Sequence, residues 1–317
     1  MQLFTPVALP PAPFRLTPVS RVLTLGSCFA QHIGQHIAAA LPDGHALVNP
    51  FGPLYAPQVI AHHLRLLLDT APLPDATYFE GVEGMCHNRW FSTHVSSAEF
   101  ATCRRLTTDA LSAARDLLRR ADVLVLTLGT DRCYRLPDGR LVANCHKQPA
   151  ATFTEHAADV ETLTSDLRCA LDSLRALRPE LQVVWTVSPY PYAKYGLHAS
   201  QLSKARLLLA VDALCATDER SVYFPAYELL LDELRDYRYY ARDLLHPSDT
   251  AVELIGERFA DWCFAPALHT FARERARLLR AHQHRPLHPE SDAHRAFRAK
   301  LRHEAELFKA KWGFSPF

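Results

Sequence analysis

The chain has 317 residues, of which 48% are hydrophobic and 22% are charged. These proportions exclude wholesale disorder, a collagen-like fibre and a coiled-coil rod, and the length predicts one large domain with at most an appendage. The formal net charge is only +1, so the chain has no general basic field to attract nucleic acid, and we expect no nucleic-acid partner.

The proline-containing start, residues 1–20, lacks the basic residues and the apolar core of a signal peptide. No apolar run in the sequence approaches the roughly 20 residues that a bilayer span needs. We therefore expect a soluble, cytoplasmic protein without membrane contact. The eight cysteines include no C-x-x-C pair, which favours reduced thiols over a disulfide framework.

Five short apolar runs, each followed by turn residues, are typical of buried parallel strands, and helical patterns separate them. This alternation predicts an α/β fold with a parallel sheet covered on both faces. Because ligands bind at the carboxyl ends of such strands, we expect functional residues just after each run. The predicted strands are 21–25, 45–50, 122–128, 182–187 and a weaker 221–226, and the predicted helices are 29–40, 57–68, 107–120, 155–177 and 203–216.

Two segments interrupt this alternation, and we interpret both as insertions at the active edge of the sheet. Residues 71–105 contain aromatic, glycine and histidine residues without a clear period. Residues 132–150 contain a hairpin pattern that turns at Pro137, Asp138 and Gly139.

The sequence becomes rich in arginine, histidine and alanine from Pro266 onward and predicts two amphipathic helices with a proline-containing break. We expect a catalytic domain at residues 1–264 and a helical C-terminal extension at 265–317 that packs against it. Binding of a partner, or self-association, is the alternative role for this extension.

The first predicted strand ends in Gly26-Ser27-Cys28, which opens a helix. A nucleophile at a helix start meets free backbone N–H groups and the positive end of the helix dipole, which stabilise a thiolate or an oxyanion. These residues taken alone also fit a structural role, with Ser27 as the helix N-cap and Cys28 as a small buried residue.

Later strand ends supply further polar groups. After the second strand, Asn49 offers a side-chain donor and Gly52 a close backbone N–H, unless the two only form a turn. A stiff aromatic segment, residues 188–192, follows the fourth strand and suits the wall of a pocket. The third strand is followed by Gly129, Thr130 and Asp131.

Asp243 precedes His246 by three residues near the end of the predicted domain. This spacing lets the carboxylate fix the imidazole tautomer while the other ring nitrogen points at a nucleophile. Because a D-x-x-H pattern is common by chance, it gains weight only in combination with the other strand-end residues.

The combined segments resemble the bacterial GSCFA family, named for the five residues that stand here at 26–30. Other matching segments are VNPFGPLY (48–55), ANCHKQP (143–149), TVSPYP (186–191) and the run at 223–248. The resemblance covers roughly residues 15–260 and leaves the C-terminal extension outside. It implies a branch of the SGNH (GDSL-type) hydrolases, with a flavodoxin-like three-layer α/β sandwich and acyl-ester chemistry.

The SGNH pattern has a nucleophile after strand one, a glycine after strand two, a G-x-N after strand three and a closing D-x-x-H. On this chain the resemblance makes Asp243 and His246 the acid–histidine pair. An ungapped match places Cys28, not Ser27, at the nucleophile position, and we leave the choice between them open.

Asp131 stands where the pattern has asparagine. An ionised carboxylate cannot donate a hydrogen bond to an oxyanion, so another donor is needed or the oxyanion hole is poorer. The candidate donors are Asn49, Asn144 and the backbone N–H groups of Cys28 and Gly52.

The nucleophile constrains the substrate. A thiolate that attacks an alkyl ester is itself the better leaving group, whereas attack on a thioester is nearly balanced. Cys28 therefore predicts thioester donors such as acyl-CoA or an acyl carrier protein, and Ser27 predicts ordinary esters such as acetylated saccharides. The expected function is acyl-ester hydrolysis, with a cysteine-dependent acyltransferase or thioesterase as the alternative.

The position of Cys28 also predicts its acidity. If the Cys28 thiol faces the site, the helix start and His246 should lower the pKa of that thiol.

The sequence gives less support to a metal-binding or a non-catalytic function. The Cys-His pairs at 86–87 and 145–146 and the His-His pair at 62–63 do not match structural zinc spacings, so we expect no metal and no cofactor. His146 is predicted to line the pocket or to lie on the hairpin surface. Asp131 leaves a non-catalytic ligand-binding module as a further alternative.

Overall fold

The structure is a computed structural model that describes residues 5–317. Within those residues the chain forms eleven strands and nine α-helices, numbered in chain order. The strands are β1 (Val22–Gly26), β2 (Ala46–Val48), β3 (Tyr78–Glu80), β4 (Cys86–Asn88), β5 (Ser96–Ser97), β6 (Val123–Leu128), β7 (Arg132–Arg135), β8 (Leu141–Val142), β9 (Thr154–Ala157), β10 (Gln182–Val187) and β11 (Ser221–Tyr223). The helices are α1 (Cys28–Ala40), α2 (Pro57–Leu68), α3 (Phe100–Leu118), α4 (Val160–Leu177), α5 (Leu197–Cys215), α6 (Ala226–Glu228), α7 (Asp249–Cys263), α8 (Pro266–Gln283) and α9 (Asp292–Trp312).

All five predicted apolar runs join one parallel sheet in the order β11-β10-β6-β1-β2, which confirms the predicted α/β fold with a central parallel sheet. Counted among themselves from the β2 edge, these strands run 2-1-3-4-5. The strand order therefore reverses at β1: β2 is added on one side of it, and β6, β10 and β11 follow on the other. In doubly wound sheets the crevice outside the carboxyl ends at such a switch point is where ligands bind.

Helices cover both faces of the sheet, because alternate strand residues point to opposite sides. Leu124 and Leu126 of β6 belong to a core shared with α2, α3, α4 and α5. Val123 and Val125 of the same strand belong to a second core, shared with α1, α7, α8 and α9. Burial on both faces explains why these strands are nearly continuous apolar runs.

The two predicted insertions form small antiparallel sheets. Residues 71–105 contain β3, β4 and β5 and run directly into α3. In residues 132–150, β7 pairs with β8, and the N–H of Gly139 donates to the carbonyl of Leu136 at 2.8 Å, which confirms the predicted hairpin turn.

Three predicted helix starts are wrong. The helix predicted at 155–177 begins at Val160, because residues 154–157 pair with β7 as β9 and Asp159 caps the helix. The helices predicted from residues 107 and 203 begin earlier, at Phe100 and Leu197. Their first turns are largely exposed, so no apolar period marks them in the sequence.

The two helices predicted after Pro266 are α8 and α9, and they pack against the domain. Phe271 and Phe308 are buried against each other with ring centroids 5.1 Å apart. Arg275 is also buried, donates to the carbonyl of Leu41 at 3.0 Å and pairs with Asp43. Within residues 5–317, no helix combines the length and apolarity needed to cross a bilayer.

Candidate active site

Gly26 allows β1 to turn sharply into α1. Its φ of +143° is a conformation that favours glycine, and a Cβ there would lie 2.3 Å from the backbone oxygen of Thr127. The turn makes Ser27 the N-cap of α1 and Cys28 its first residue. The glycine is thus required by the close approach of β1 and β6.

Ser27 is buried and serves the helix start. Its Oγ accepts the N–H of Phe29 at 3.2 Å, and its carbonyl accepts the N–H of Ala30 at 2.9 Å. The side chain of Asn49 also donates to the carbonyl of Ser27, at 3.2 Å. Ser27 does not line the cavity described next.

A cavity of about 260 Å³ lies where the segments following β1, β6 and β10 meet. Cys28 and His246 both line it, so the structure brings the predicted nucleophile position and the predicted base to one site. The second insertion supplies much of the remaining wall, which is largely aromatic and apolar. Other lining residues include Tyr55, Thr130, Arg132, Tyr134, Asn144, Cys145, Glu155, Tyr190 and Tyr192.

Asp243 holds the ring of His246. One carboxylate oxygen lies 2.5 Å from Nδ1 of His246, and the other accepts the backbone N–H groups of His246 and Leu245 at 2.9 and 3.0 Å. These hydrogen bonds, that from the His246 ring first, lower the pKa of Asp243 to about 2. An ionised carboxylate only accepts, so Nδ1 of His246 donates to Asp243 and Nε2 is the ring nitrogen left for another partner.

Tyr190 fixes the plane of the same imidazole. The two rings are stacked, with centroids 4.1 Å apart and an angle of 26° between the planes. His246 is about half exposed, and so is Asp243. The stack and the carboxylate together define the orientation of a ring that is otherwise open to solvent.

Burial raises the pKa of the Cys28 thiol. The N–H of Phe29 and the ammonium group of Lys204 act in the opposite direction but are outweighed. The predicted lowering of the Cys28 pKa is therefore wrong, because loss of hydration exceeds the effect of the helix start. Burial therefore favours the thiol form of Cys28 over the thiolate, which is the reactive form of a cysteine.

The sequence analysis missed Lys204, a buried ionisable residue whose charge interacts with Cys28 and Asp131. It is 2% exposed on α5, and its Nζ donates to the carbonyl of Gly129 at 2.7 Å. Burial lowers the pKa of Lys204 to about 7, although Cys28 and Asp131 act to raise it. Its spacing from Leu207 and Val211 places it on the buried face of the helix, and this was the available signal.

Asp131 belongs to the same buried contact with α5. It is fully buried, one carboxylate oxygen accepts a hydrogen bond from Arg206 at 2.6 Å, and its own N–H donates to Oγ of Ser203 at 2.9 Å. It does not line the cavity. Its place in the structure is an ion pair that anchors the loop after β6.

Two of the four candidate oxyanion donors are engaged elsewhere. The side-chain nitrogen of Asn49 donates to the carbonyl of Ser27, and the N–H of Gly52 donates to the carbonyl of Asn49 at 2.8 Å. Gly52 has a φ of +72°, and a Cβ there would lie 2.5 Å from Cβ of Ser92. Neither residue lines the cavity, and both stabilise the turn after β2.

The other two donors belong to residues that line the cavity, Cys28 and Asn144. Oδ1 of Asn144 accepts the N–H of His146 at 2.9 Å and the hydroxyl of Thr93 at 3.3 Å, so the amide nitrogen of Asn144 is the atom left to donate to another partner. The N–H of Cys28 is one of the groups that a helix start leaves without an intrahelical acceptor. Unlike the donors of Asn49 and Gly52, these two groups have no structural hydrogen bond within residues 5–317 that would occupy them.

The remaining predicted residues have mixed positions. Thr130 lines the cavity, whereas Gly129 donates its N–H to the carbonyl of Tyr55 at 2.8 Å. His146 is buried outside the cavity, with its ring centroid 5.0 Å from that of His87, and burial lowers its pKa to about 3. Although the two insertions bring these histidines together, residues 5–317 contain no group of three or more His, Cys, Asp or Glu side chains suited to a metal.

The model of the GSCFA family matches residues 21–259. The matched region runs from β1 into α7, contains Cys28, Asn144, Asp243 and His246, and ends before α8. No curated protein matches the chain.

Proposed function

The chain belongs to the GSCFA family, and on that premise we propose that it hydrolyses or transfers acyl groups through a covalent acyl-enzyme on Cys28. The observation that carries this proposal is the shared cavity. Cys28 and the Asp243-oriented ring of His246 line it, whereas Ser27 is a buried helix cap. The strand order 2-1-3-4-5 is the flavodoxin-like order, which supports the proposed SGNH-type fold.

In the first proposed step, Nε2 of His246 takes the proton of the Cys28 thiol, and the sulfur attacks the acyl carbon. The carbonyl oxygen becomes an oxyanion that accepts hydrogen bonds from the N–H of Cys28 and the amide nitrogen of Asn144. Collapse of this intermediate releases the leaving group, which takes the proton from His246. Water or an acceptor then attacks the acyl-enzyme with His246 as the base, and the Cys28 thiol is restored.

A thioester is the donor that this nucleophile favours. The alkoxide of an ordinary ester leaves much less readily than the Cys28 thiolate, so the intermediate mostly reverts to substrate. The thiol of a thioester has a pKa close to that of cysteine, so both directions of collapse compete evenly. We therefore propose an acyl thioester, either a small one or one borne by a coenzyme or a carrier protein, as the substrate.

The proposed location is the cytoplasm. All eight cysteines lie in the described residues and are free thiols. This supports a reducing compartment, where thioester donors are also made.

The test is the intact mass of the protein after incubation with an acetyl thioester, followed by peptide mapping. We expect one added acetyl group on the peptide that contains Cys28, and none in Cys28→Ala. Cys145→Ala is the matched control, because Cys145 also lines the cavity and should leave the label unchanged.

Two outcomes contradict the proposal. A label on Ser27, retained in Cys28→Ala, would make the protein a serine esterase. No label with thioesters or activated esters, in a protein that still binds acyl compounds, would favour the non-catalytic binding module.

A further inference from the structure

The cavity beside Cys28 contains a cation that the proposed reaction does not use. Arg132 lines this cavity and is half-buried, and its guanidinium carbon lies 4.2 Å from the ring centroid of Tyr195. Such stacking holds the guanidinium plane while leaving its N–H groups free to bind. Its backbone N–H donates to Oγ1 of Thr130 at 3.3 Å, so the segment that carries the side chain is itself fixed.

The neighbouring carboxylates are already paired with other cations. Asp131, the adjacent residue, pairs with Arg206 at 2.6 Å. Glu155, which lines the cavity, pairs with Lys194 at 3.2 Å. In the part of the chain that the structure describes, residues 5–317, no carboxylate forms an ion pair with Arg132.

Arg132 and Cys28 reach the cavity from adjacent strands. Arg132 lies four residues beyond the end of β6, and Cys28 lies two residues beyond the end of β1. The two strands pair in parallel, with Gly26 opposite Thr127, so their following segments leave the sheet side by side. Because both residues also line one cavity of about 260 Å³, a molecule that fills it contacts both.

We propose that Arg132 binds a carboxylate group of the substrate, so that the cavity selects anionic acyl donors. A guanidinium group binds such groups through two parallel hydrogen bonds, and the partly desolvated site strengthens them. The small volume and the aromatic wall leave room for a short acyl chain between this anion and Cys28. This inference rests on the proposed acyl transfer at the same site.

The test compares two matched pairs of thioesters, because the anion can lie in either half of the donor. One pair is the succinyl and succinamoyl thioesters of N-acetylcysteamine, which differ in the charge of the acyl group. The other is the acetyl thioesters of 3-mercaptopropionate and 3-mercaptopropionamide, which differ in the charge of the leaving thiol. In at least one pair we expect kcat/KM for the anionic member to be about tenfold or more above its neutral twin.

The variants Arg132→Gln and Arg132→Lys show whether Arg132 causes the preference for the anionic thioester. Arg132→Gln should bring the ratio of anionic to neutral kcat/KM close to one, and Arg132→Lys should keep part of it because the charge remains without the planar fork. Arg140→Gln is the matched control. Arg140 is exposed and paired with Asp138 at the hairpin turn, so the ratio should not change. A ratio near one in the wild type, or one that survives in Arg132→Gln, overturns the inference.

Binding of succinate and neutral succinamide to Cys28→Ala, measured by calorimetry, separates this inference from the proposed function. Tighter binding of succinate that Arg132→Gln abolishes supports the anion site even if Cys28 is never acylated. Acylation of Cys28 without any preference for anions overturns the anion site alone. Absence of both binding and a charge preference also overturns it.

Discussion

The loops after β1 and β6 each end in a structural side chain, and the next residue, which begins the following helix or strand, lines the cavity. In the first loop, Ser27 is a buried helix cap and Cys28 lines the cavity. In the second, Asp131 is buried in an ion pair with Arg206, and Arg132 lines the cavity. In both loops, one of two adjacent candidate residues holds the loop in place and its neighbour lines the cavity.

The two loops differ in what holds them. Neutral groups fix the loop after β1, through the conformation of Gly26 and the hydrogen bond from Asn49 to Ser27. Charged groups fix the loop after β6, where Lys204 donates to the carbonyl of Gly129 and Arg206 pairs with Asp131. The first loop should therefore keep its geometry across a wide pH range, whereas the second depends on protonation.

The largest effect is expected from removing His246, the proposed base for Cys28, which follows the loop after β1. His246→Ala should lower the rate of Cys28 acylation by about 10³-fold or more, because the neutral thiol loses its proton acceptor. Asp243→Asn should cost as much or less, through loss of tautomer control. The acylation rate of both variants is measured by rapid quenching followed by mass spectrometry. His198→Ala, at an exposed histidine, is the control. A wild-type acylation rate in His246→Ala would refute the assignment of the base.

Asp131, in the loop after β6, stands where the SGNH pattern has an oxyanion-stabilising asparagine, and its carboxylate cannot donate. We therefore expect Asn144 to be the side-chain donor to the oxyanion. Asn144→Ala should lower the acylation rate constant about 10²-fold, the usual effect of removing an oxyanion-hole donor. Asn49→Ala is the comparison, because its amide serves Ser27 and its loss should lower the free energy of unfolding by about 1 kcal/mol instead. If Asn49→Ala slows acylation more than Asn144→Ala, the two assignments must be exchanged.

Lys204 tests the charge dependence of the loop after β6. Its folded pKa of about 7 lies below the unfolded value of 10.5, so between these pH values the unfolded chain binds more protons. The free energy of unfolding should therefore rise with pH, by about 1.4 kcal/mol per unit from about pH 7 to 9, relative to Lys204→Met. Below pH 7 the difference between the two proteins should stay constant.

Urea unfolding of the wild type, Lys204→Met and the exposed control Lys300→Met at several pH values measures this difference. Identical pH slopes for wild type and Lys204→Met would show that Lys204 keeps an ordinary pKa in the folded protein.

The smallest expected effect comes from Ser27. Ser27→Ala should lower the free energy of unfolding by about 1 kcal/mol through loss of the cap, while acylation of Cys28 persists. Ser291→Ala, which removes the cap of α9 far from the cavity, should cost a similar amount. Loss of acylation in Ser27→Ala, with acylation intact in Cys28→Ala, would identify Ser27 as the nucleophile.

Elements that depend on local patterns could be predicted from the sequence. The apolar runs predict all five parallel strands, and the Pro137-Asp138-Gly139 turn predicts the hairpin, because burial and turn chemistry act over a few residues. The acid–histidine pair was likewise suggested by a spacing of three residues, and Asp243 and His246 are in contact.

Features that depend on distant contacts could not be predicted. The sequence leaves the choice between Ser27 and Cys28 open, because both roles fit a helix start. The sign of the Cys28 pKa shift depends on burial by surrounding elements, which outweighs the helix start. Lys204 donates to the carbonyl of Gly129, which lies 75 residues earlier in the chain. The sequence indicates only that Lys204 falls on the buried face of α5, not which group it contacts.

The packing of α8 and α9 bears on how the protein is made. The GSCFA match ends at residue 259, yet Phe271 and Phe308 fill the core that α1 and α7 share with the central sheet. Since a ribosome delivers α8 and α9 after residues 21–259, one face of the sheet stays incompletely covered until both helices have emerged. The packed unit is thus longer than the segment that the family model matches, and a nascent chain that stalls before α9 would expose apolar surface to chaperones.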